Sequence, residues 1–348
     1  MTYATRAADY SDSTEADNRL VWGGSAPHYE VWYCTFNHRQ SRTGYWIRYT
    51  LEAPTHAPAY AQLWFGCFHA DDPRKNFGIN KRFPIAALSA TPHPFRLAIA
   101  DAELRHDGMK GGLDGDGHTV RWDLSWLPST TTHRHLPDLV YDTSFADTRV
   151  LSPNLDVPIR GTILVDGVER TFEGDPGGQT HLWGRKHAHA WAWGHCNAFS
   201  GRRGAALEAL TVRLKRRGRV LPPLTLASLY VDGEQLQFTD FTDTLWNRGR
   251  WSTGHYELRA QGLTARIDGE YRCRAEDMLL TTYADPDGDP CYCANTEVAD
   301  LRVTVWRRGW SGRWRKDGEL VADATGHFEV AGRDPDPAVT RPHVTLAA

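Results

Sequence analysis

Residues 187–196, HAHAWAWGHC, restrict what this chain can become more than any other stretch. His187, His189, Trp191, Trp193 and His195 occupy every second position, with only Ala188, Ala190, Ala192 and Gly194 between them. A helix would scatter these groups around its axis. A β-strand points successive side chains to opposite faces, so the large polar-aromatic groups share one face and the small residues the other.

The same period of two recurs along the chain, in YEVWYCTFN, TGYWIRYTLEA, AYAQLWFGCFHA, HTVRWDLSWL, LTARIDGEYRC and DLRVTVWRRG. These runs are short, rich in β-branched and aromatic residues, and bounded by Gly, Asp, Asn or Pro. Two VDG sequences, at Asp166-Gly167 and Asp232-Gly233, carry the turn chemistry of tight hairpins. Leu210, Val212 and Leu214 also alternate, so GRRGAALEALTVRLK reads as strand despite its helix-forming residues. The expected class is all-β. An irregular stretch, residues 127–158, separates two groups of strands, each large enough for an antiparallel barrel or sandwich whose closure removes exposed edges.

Composition narrows function mainly by exclusion. The net charge of -3 offers no global field for nucleic acid, and the basic run at residues 213–219 reads as solvated surface. No run approaches the roughly 18 apolar residues of a membrane span, and the polar opening lacks a secretory centre. A cytoplasmic protein with its six cysteines reduced is expected. There is no phosphate loop, dinucleotide fingerprint or Ser elbow. The 14 Trp, 13 Tyr and 12 Phe favour ring-lined pockets.

Candidate chemistry lies where polar groups interrupt aromatic strands. Glu30 shares a face with Trp32, His28 and Cys34; partly desolvated there, its carboxyl is expected to hold a raised pKa and donate a proton. The competing expectation is an exposed Glu30, or one paired with Arg48. Trp191 and Trp193 are expected to line an apolar cavity to which His195 and Asn197 add polar groups. No metal is assigned: His195 lies roughly 20 Å along the strand from His189, and ADPDGDP, with Asp285, Asp287 and Asp289, reads as a hairpin turn. His187 and His189 are expected to be solvated or hydrogen-bonded.

The order GGSAPHYEVWYCTFN, GYWIRYTLEAP, AQLWFGCF and RGTILVDGVERTFEGDPGGQTHLWGRKHAHAWAWGHCNAF resembles the tandem lipocalin-like superfamily of hydroxyneurosporene synthase, AttH-like proteins, tocopherol cyclase and fungal Diels–Alderases. The resemblance implies two lipocalin-like antiparallel barrels with a hydrophobic substrate at or between them, here assigned to residues 20–180 and 181–332. Residues 1–19 and 333–348 are then loose ends. It also implies chemistry without a redox cofactor: cyclisation, isomerisation or hydration of a polyene or isoprenoid. Relatives often read Asp-His-x-Trp-Gly where this chain has Thr180, His181, Leu182, Trp183 and Gly184, so it keeps the His of that pair and has Thr180 in place of the Asp. On this reading Glu30 and His181 donate or relay the proton, while Trp32, Trp183, Arg185, Trp191, Trp193, His195 and Asn197 bind substrate. The alternative is a lipid or isoprenoid carrier without turnover. Expected partners are a hydrophobic small molecule and, for its delivery, peripheral membrane contact.

Overall fold

The computed structural model describes residues 14–141, 147–339 and 343–344. The fold is all-β, two lipocalin-like antiparallel barrels, and both follow one plan: a meander whose first and last long strands pair. In the first barrel His28–His38 pairs with Val168–Gly184, from Tyr29 opposite Gly184 to Phe36 opposite Gly177. In the second, Ala190–Cys196 pairs with Trp314–Gly332, from Trp191 opposite Ala331 to His195 opposite His327. Each ladder breaks once, between consecutive strands. The first breaks between Phe77–Pro84 and Leu88–Pro92, the second between Glu234–Phe238 and Arg248–Ser252.

The hairpins form where the turn residues demand. Asp166 and Gly167 both take positive φ (50° and 82°), as do Asp232 and Gly233 (51° and 80°), which matches the twist of the flanking strands. Ala206–Arg213 is a strand, as the alternation of its leucines and valine requires. The stretch expected to be irregular departs from that expectation, because residues 148–158 open the long strand Thr148–Val165. Pro153 has no N–H for a ladder, and register shifts between Leu151 and Asn154 and between Asn154 and Val157 accommodate it.

Side chains fill both barrels. Trp32, Phe36, Tyr45, Phe65 and Trp122 belong to the first interior, and Tyr256, Tyr271 and Phe328 stack within the second. A third cluster lies between them and includes Trp46, Trp64, Trp191, Trp193, Tyr283 and Val298. Side chains cross the same seam: Trp46 Nε1 donates to Asn295 Oδ1 (3.0 Å) and Asn37 Nδ2 to the Glu297 carbonyl (2.7 Å).

Both expected loose ends contain packed residues. Asn18 is buried and exchanges hydrogen bonds with Gln179 (2.7 and 3.2 Å), so residues 14–19 cap one end of the first barrel. Val344 pairs in parallel with Thr281 and is likewise buried. The rest of both ends lies outside the described residues. All of Val168–Gly184, His181 included, belongs to the first sheet, so the chain changes barrels between Gly184 and Ala190 rather than at residue 180.

Candidate active site between the barrels

The alternation in residues 187–196 decides where the cavity can be. Ala192 and Cys196 face the interior of the second barrel, and so does Gly194, where a Cβ would come 2.5 Å from the Tyr271 ring. The small face therefore makes room for large rings inside the barrel. Trp191 and Trp193 are left on the outer face, looking across at the first barrel. On His28–His38 the phases are reversed: His28, Glu30, Trp32 and Cys34 point into the first barrel, and Tyr29 and Tyr33 point out.

These two outer faces enclose a cavity of about 1340 Å³. Its aromatic wall is Tyr29, Tyr33, Trp46, Trp191, Trp193 and Tyr283, and Leu210, Val212, Leu224 and Leu226 continue the apolar surface. The Trp193 ring meets Tyr33 edge-on at 5.8 Å. The volume exceeds the usual range for a drug-sized ligand, which suits an extended apolar molecule.

Ionisable groups line the cavity too, and burial pushes those on the aromatic wall in opposite directions. Glu329 accepts from Trp191 Nε1 (2.6 Å), and Cys293 Sγ lies 3.4 Å from its second oxygen; burial raises its pKa. Burial raises Glu297 as well, and its Oε2 has no hydrogen-bond partner among the described residues. Glu208, beside the wall, accepts from Trp193 Nε1 and is also raised by burial. Burial thus biases all three carboxyl groups toward their neutral form.

His187 faces the same space, stacked on Tyr29 (4.1 Å) and parallel to Trp191 (5.7 Å). Its Nδ1 donates to Asp285 Oδ1 (2.7 Å), which also accepts the His187 backbone N–H (2.8 Å). Burial lowers the His187 pKa despite this partner, leaving a neutral imidazole whose Nε2 is the basic nitrogen. Burial alone would raise Asp285; hydrogen bonding from His187 and the charge of Arg333 hold it below the ordinary carboxylate value. Arg48 also projects into the cavity, its guanidinium 4.3 Å from the Tyr283 ring centre.

Of the residues singled out from sequence, Trp191 and Trp193 line this cavity. Glu30 does not. It is fully buried at the capped end of the first barrel, where it accepts from Val21 N (2.7 Å), Trp22 N (2.9 Å), His28 Nε2 (2.9 Å) and His181 Nε2 (3.0 Å). Burial opposes ionisation there, yet these donors together lower the pKa. The expected neutral acid is thus a carboxylate. It pairs with His28 and His181 rather than with Arg48.

Trp32 stacks on His181 (4.7 Å) inside that barrel and donates to the Asn18 carbonyl (2.9 Å). Trp183 leans on the other side of His181 (4.8 Å), and Arg185 is exposed. His195 and Asn197 are buried in the seam. The first donates to the Leu155 carbonyl (3.1 Å), the second to Gly177 O (2.8 Å) and Asp156 Oδ1 (3.0 Å), so they join the barrels rather than line the cavity. ADPDGDP is a turn, closed by Gly288 N to Asp285 O (2.8 Å), and Lys186 Nζ bridges Asp287 and Asp289 (2.5 and 2.6 Å). All six cysteines are free.

The two matching barrels and the aromatic chamber between them define a tandem lipocalin-like barrel protein with a large cavity at its seam. The chain belongs to the tocopherol cyclase-like family, whose model matches residues 155–332. An uncharacterized protein of Mycobacterium tuberculosis strain H37Rv is 29% identical over 346 residues, covering 95% of this chain and 94% of that protein. Solved structures with the same fold include an AttH-type protein from Nitrosomonas europaea (TM-score 0.51, 15% identity, 90% of this chain and 97% of that one). Kievitone hydratase from Nectria haematococca (0.50, 9%, 88% and 89%) and CghA (0.55, 10%, 88% of each) share it as well. Among the described residues no helix is long and apolar enough to cross a membrane.

Proposed function

We propose that this protein is a cyclase or hydratase that adds an O–H bond across a carbon–carbon double bond of a polyene or isoprenoid held between the barrels. The observation that carries the reading is that one cavity holds the buried carboxyls Glu297 and Glu329, whose pKa values burial raises, and the Asp285-oriented imidazole of His187, whose pKa burial lowers. Titratable groups driven apart by their environments mark acid and base roles.

One carboxyl transfers its proton to the alkene, so a C–H bond forms as the π bond breaks and a carbocation is left at the more substituted carbon. The faces of Trp191, Trp193 and Trp46 stabilise that cation by their ring quadrupoles while excluding bulk water. A water molecule, or a hydroxyl of the substrate itself, then forms the C–O bond and passes its proton to His187 Nε2. Water gives hydration; the internal hydroxyl gives a ring. Loss of a neighbouring proton from the same cation gives isomerisation. The cyclase-like family supports this class, and kievitone hydratase supports the capacity of such a scaffold for water addition.

The test is turnover of prenylated phenols and polyenes by wild type, Glu329→Gln, Glu297→Gln and His187→Gln, with ligand retention followed by native mass spectrometry. Loss of a general acid or base is expected to reduce kcat by about 10²–10⁴-fold with binding retained. Unchanged turnover in all three variants overturns the assignment. Retained ligand with no turnover by wild type makes the protein a carrier.

A further inference from the structure

We propose that the mouth of the cavity is a docking surface for an anionic lipid bilayer, from which the apolar substrate enters without crossing water. This rests on the reading of the cavity as an apolar-ligand site, but its supporting observations lie at the rim.

One lip is a small hairpin with strands Lys215–Arg216 and Arg219–Val220, turned at Arg217 and Gly218 (φ 48° and 79°) and closed at its base by Leu221 N to Leu214 O (2.8 Å). The other lip is the helical turn Phe241–Thr244 and the two residues after it. Leu214, Lys215, Leu221, Phe241 and Thr244 all line the cavity, so both lips border the same opening.

The lips divide between them what a bilayer surface binds: basic side chains and Leu221 on the hairpin, exposed rings and Leu245 on the helical turn, where Asp240 and Asp243 are the acidic groups. Leu221 is 41% exposed, Phe241 60%, Leu245 69% and Trp246 63%, a set of large apolar groups left in water at an entrance. Residues 213–219 include Arg213, Lys215, Arg216, Arg217 and Arg219. Arg216 reaches Asp147 (2.7 Å) and Arg213 lies over the Trp251 ring (5.2 Å). Among the described residues, Lys215, Arg217 and Arg219 have no carboxylate partner. The whole chain carries -3, so the excess of positive charge on this hairpin is a local feature and not a property of the whole chain.

Basic side chains beside exposed Trp, Phe and Leu match the two layers of a membrane interface, anionic headgroups above acyl chains. The two lips are separate protrusions. A deformable lipid surface can meet both at once, with the cavity opening directly onto the acyl region.

Co-sedimentation with phosphatidylglycerol/phosphatidylcholine vesicles, against phosphatidylcholine alone, tests the proposal. Wild type should partition onto the anionic vesicles, weaken with salt, and shift its Trp246 emission to the blue. Arg217→Asn with Arg219→Glu should lower the partition coefficient by roughly fivefold or more for each charge removed. Leu245→Ser with Trp246→Ser should abolish the emission shift and weaken binding at least tenfold. Circular dichroism checks that the variants are folded. No partition by folded wild type, or partition unchanged in both variants, overturns the proposal, as does a dimer dissolved by Trp246→Ser in a protein that ignores vesicles. Uptake of the fluorescent polyene cis-parinaric acid in vesicle-free buffer reads the cavity separately, since neither double variant touches its lining.

Discussion

His327 Nδ1 lies 3.0 Å from His195 Nδ1, deep in the seam, and the contact leads to the cavity acid Glu297. His195 Nε2 faces the Leu155 carbonyl (3.1 Å) and His327 Nε2 faces Asn37 Oδ1 (2.7 Å), while Asn37 Nδ2 is committed to the Glu297 carbonyl. The row begins and ends on acceptors, so its three contacts need three protons. Two neutral imidazoles bring two. Glu297 Oε2, 3.5 Å from His327 Nε2, is the adjacent source of the third. Burial favours the uncharged arrangement, raising Glu297 and lowering both histidines, His195 to about 4.

These depressed histidine values fix a sign for acid stability. Between the unfolded histidine value near 6.5 and the folded value of about 4, the unfolded chain binds the extra proton, so stability falls as pH falls through this window. The slope for one such group approaches about 1.4 kcal/mol per pH unit. Denaturant midpoints measured from pH 7 to 4.5 by tryptophan fluorescence should show it, and His195→Asn should flatten the decline. An unchanged slope in that variant would mean His195 is already charged in the fold.

The pH dependence of turnover follows from the opposed tuning of the cavity groups. Neutral Glu297 and Glu329 are lost as pH rises through their raised values, and neutral His187 is lost as pH falls through its lowered one. The profile of kcat/KM should therefore be bounded by two limbs, an alkaline one set by the carboxyl groups and an acid one set by His187. Asp285 raises the His187 value, so Asp285→Asn should move the acid limb to lower pH while reducing kcat through loss of ring orientation. A limb that stays in place would detach His187 from the chemistry.

Glu30 is expected to behave as an anchor. Its carboxylate takes two backbone N–H groups and two imidazoles, so Glu30→Gln leaves buried donors unmatched and should cost about 2–4 kcal/mol. Because its folded pKa is lowered, its contribution is present above the unfolded value and is lost as pH falls through the folded one. Proteolysis in residues 14–27 should quicken, while cis-parinaric acid uptake by the cavity stays intact. Loss of kcat without loss of stability would return Glu30 to the catalytic role that its aromatic neighbours in sequence suggest.

Period-two alternation makes the strands, the hairpin turns and the shared face of Trp191 and Trp193 legible in the sequence. It says which residues share a face, not which face is interior. In both barrels the polar or bulky face suggests an inward pocket; the Glu30–Trp32 face instead closes a barrel end, and the Trp191–Trp193 face lines its cavity from the outside of the second barrel. Ala192 and Gly194 hold the clue, since a face that small must receive large rings from elsewhere. Glu297 and Glu329 carry no such signal, because their meeting depends on the long hairpin Pro290–Arg308 and Trp314–Gly332, whose register shifts between Thr296 and Ala299. Glu329 sits between Phe328 and Val330 with only its facing to distinguish it. His187 and Asp285 are 98 positions apart, and no local pattern joins them.

Two glycines allow close approaches on either side of the seam, and they should fail in different ways. At Gly194 a Cβ would lie 2.5 Å from Tyr271 Cε2, inside the second barrel, so Gly194→Ala is an overpacking change expected to cost about 1–3 kcal/mol. At Gly44 a Cβ would lie 2.5 Å from Glu297 Cβ and 2.6 Å from its carbonyl oxygen, so Gly44→Ala pushes directly on the strand that carries the acid. Thermal unfolding should report the first as a loss of several degrees with the ligand site preserved. Gly44→Ala should instead lower kcat more than it lowers Tm, because the displaced backbone also accepts from Asn37 and thereby disturbs the His327 row. Equal loss of stability in both variants with no change in kcat would show that the placement of Glu297 tolerates the shift and that the acid assigned to this strand is not the one that acts.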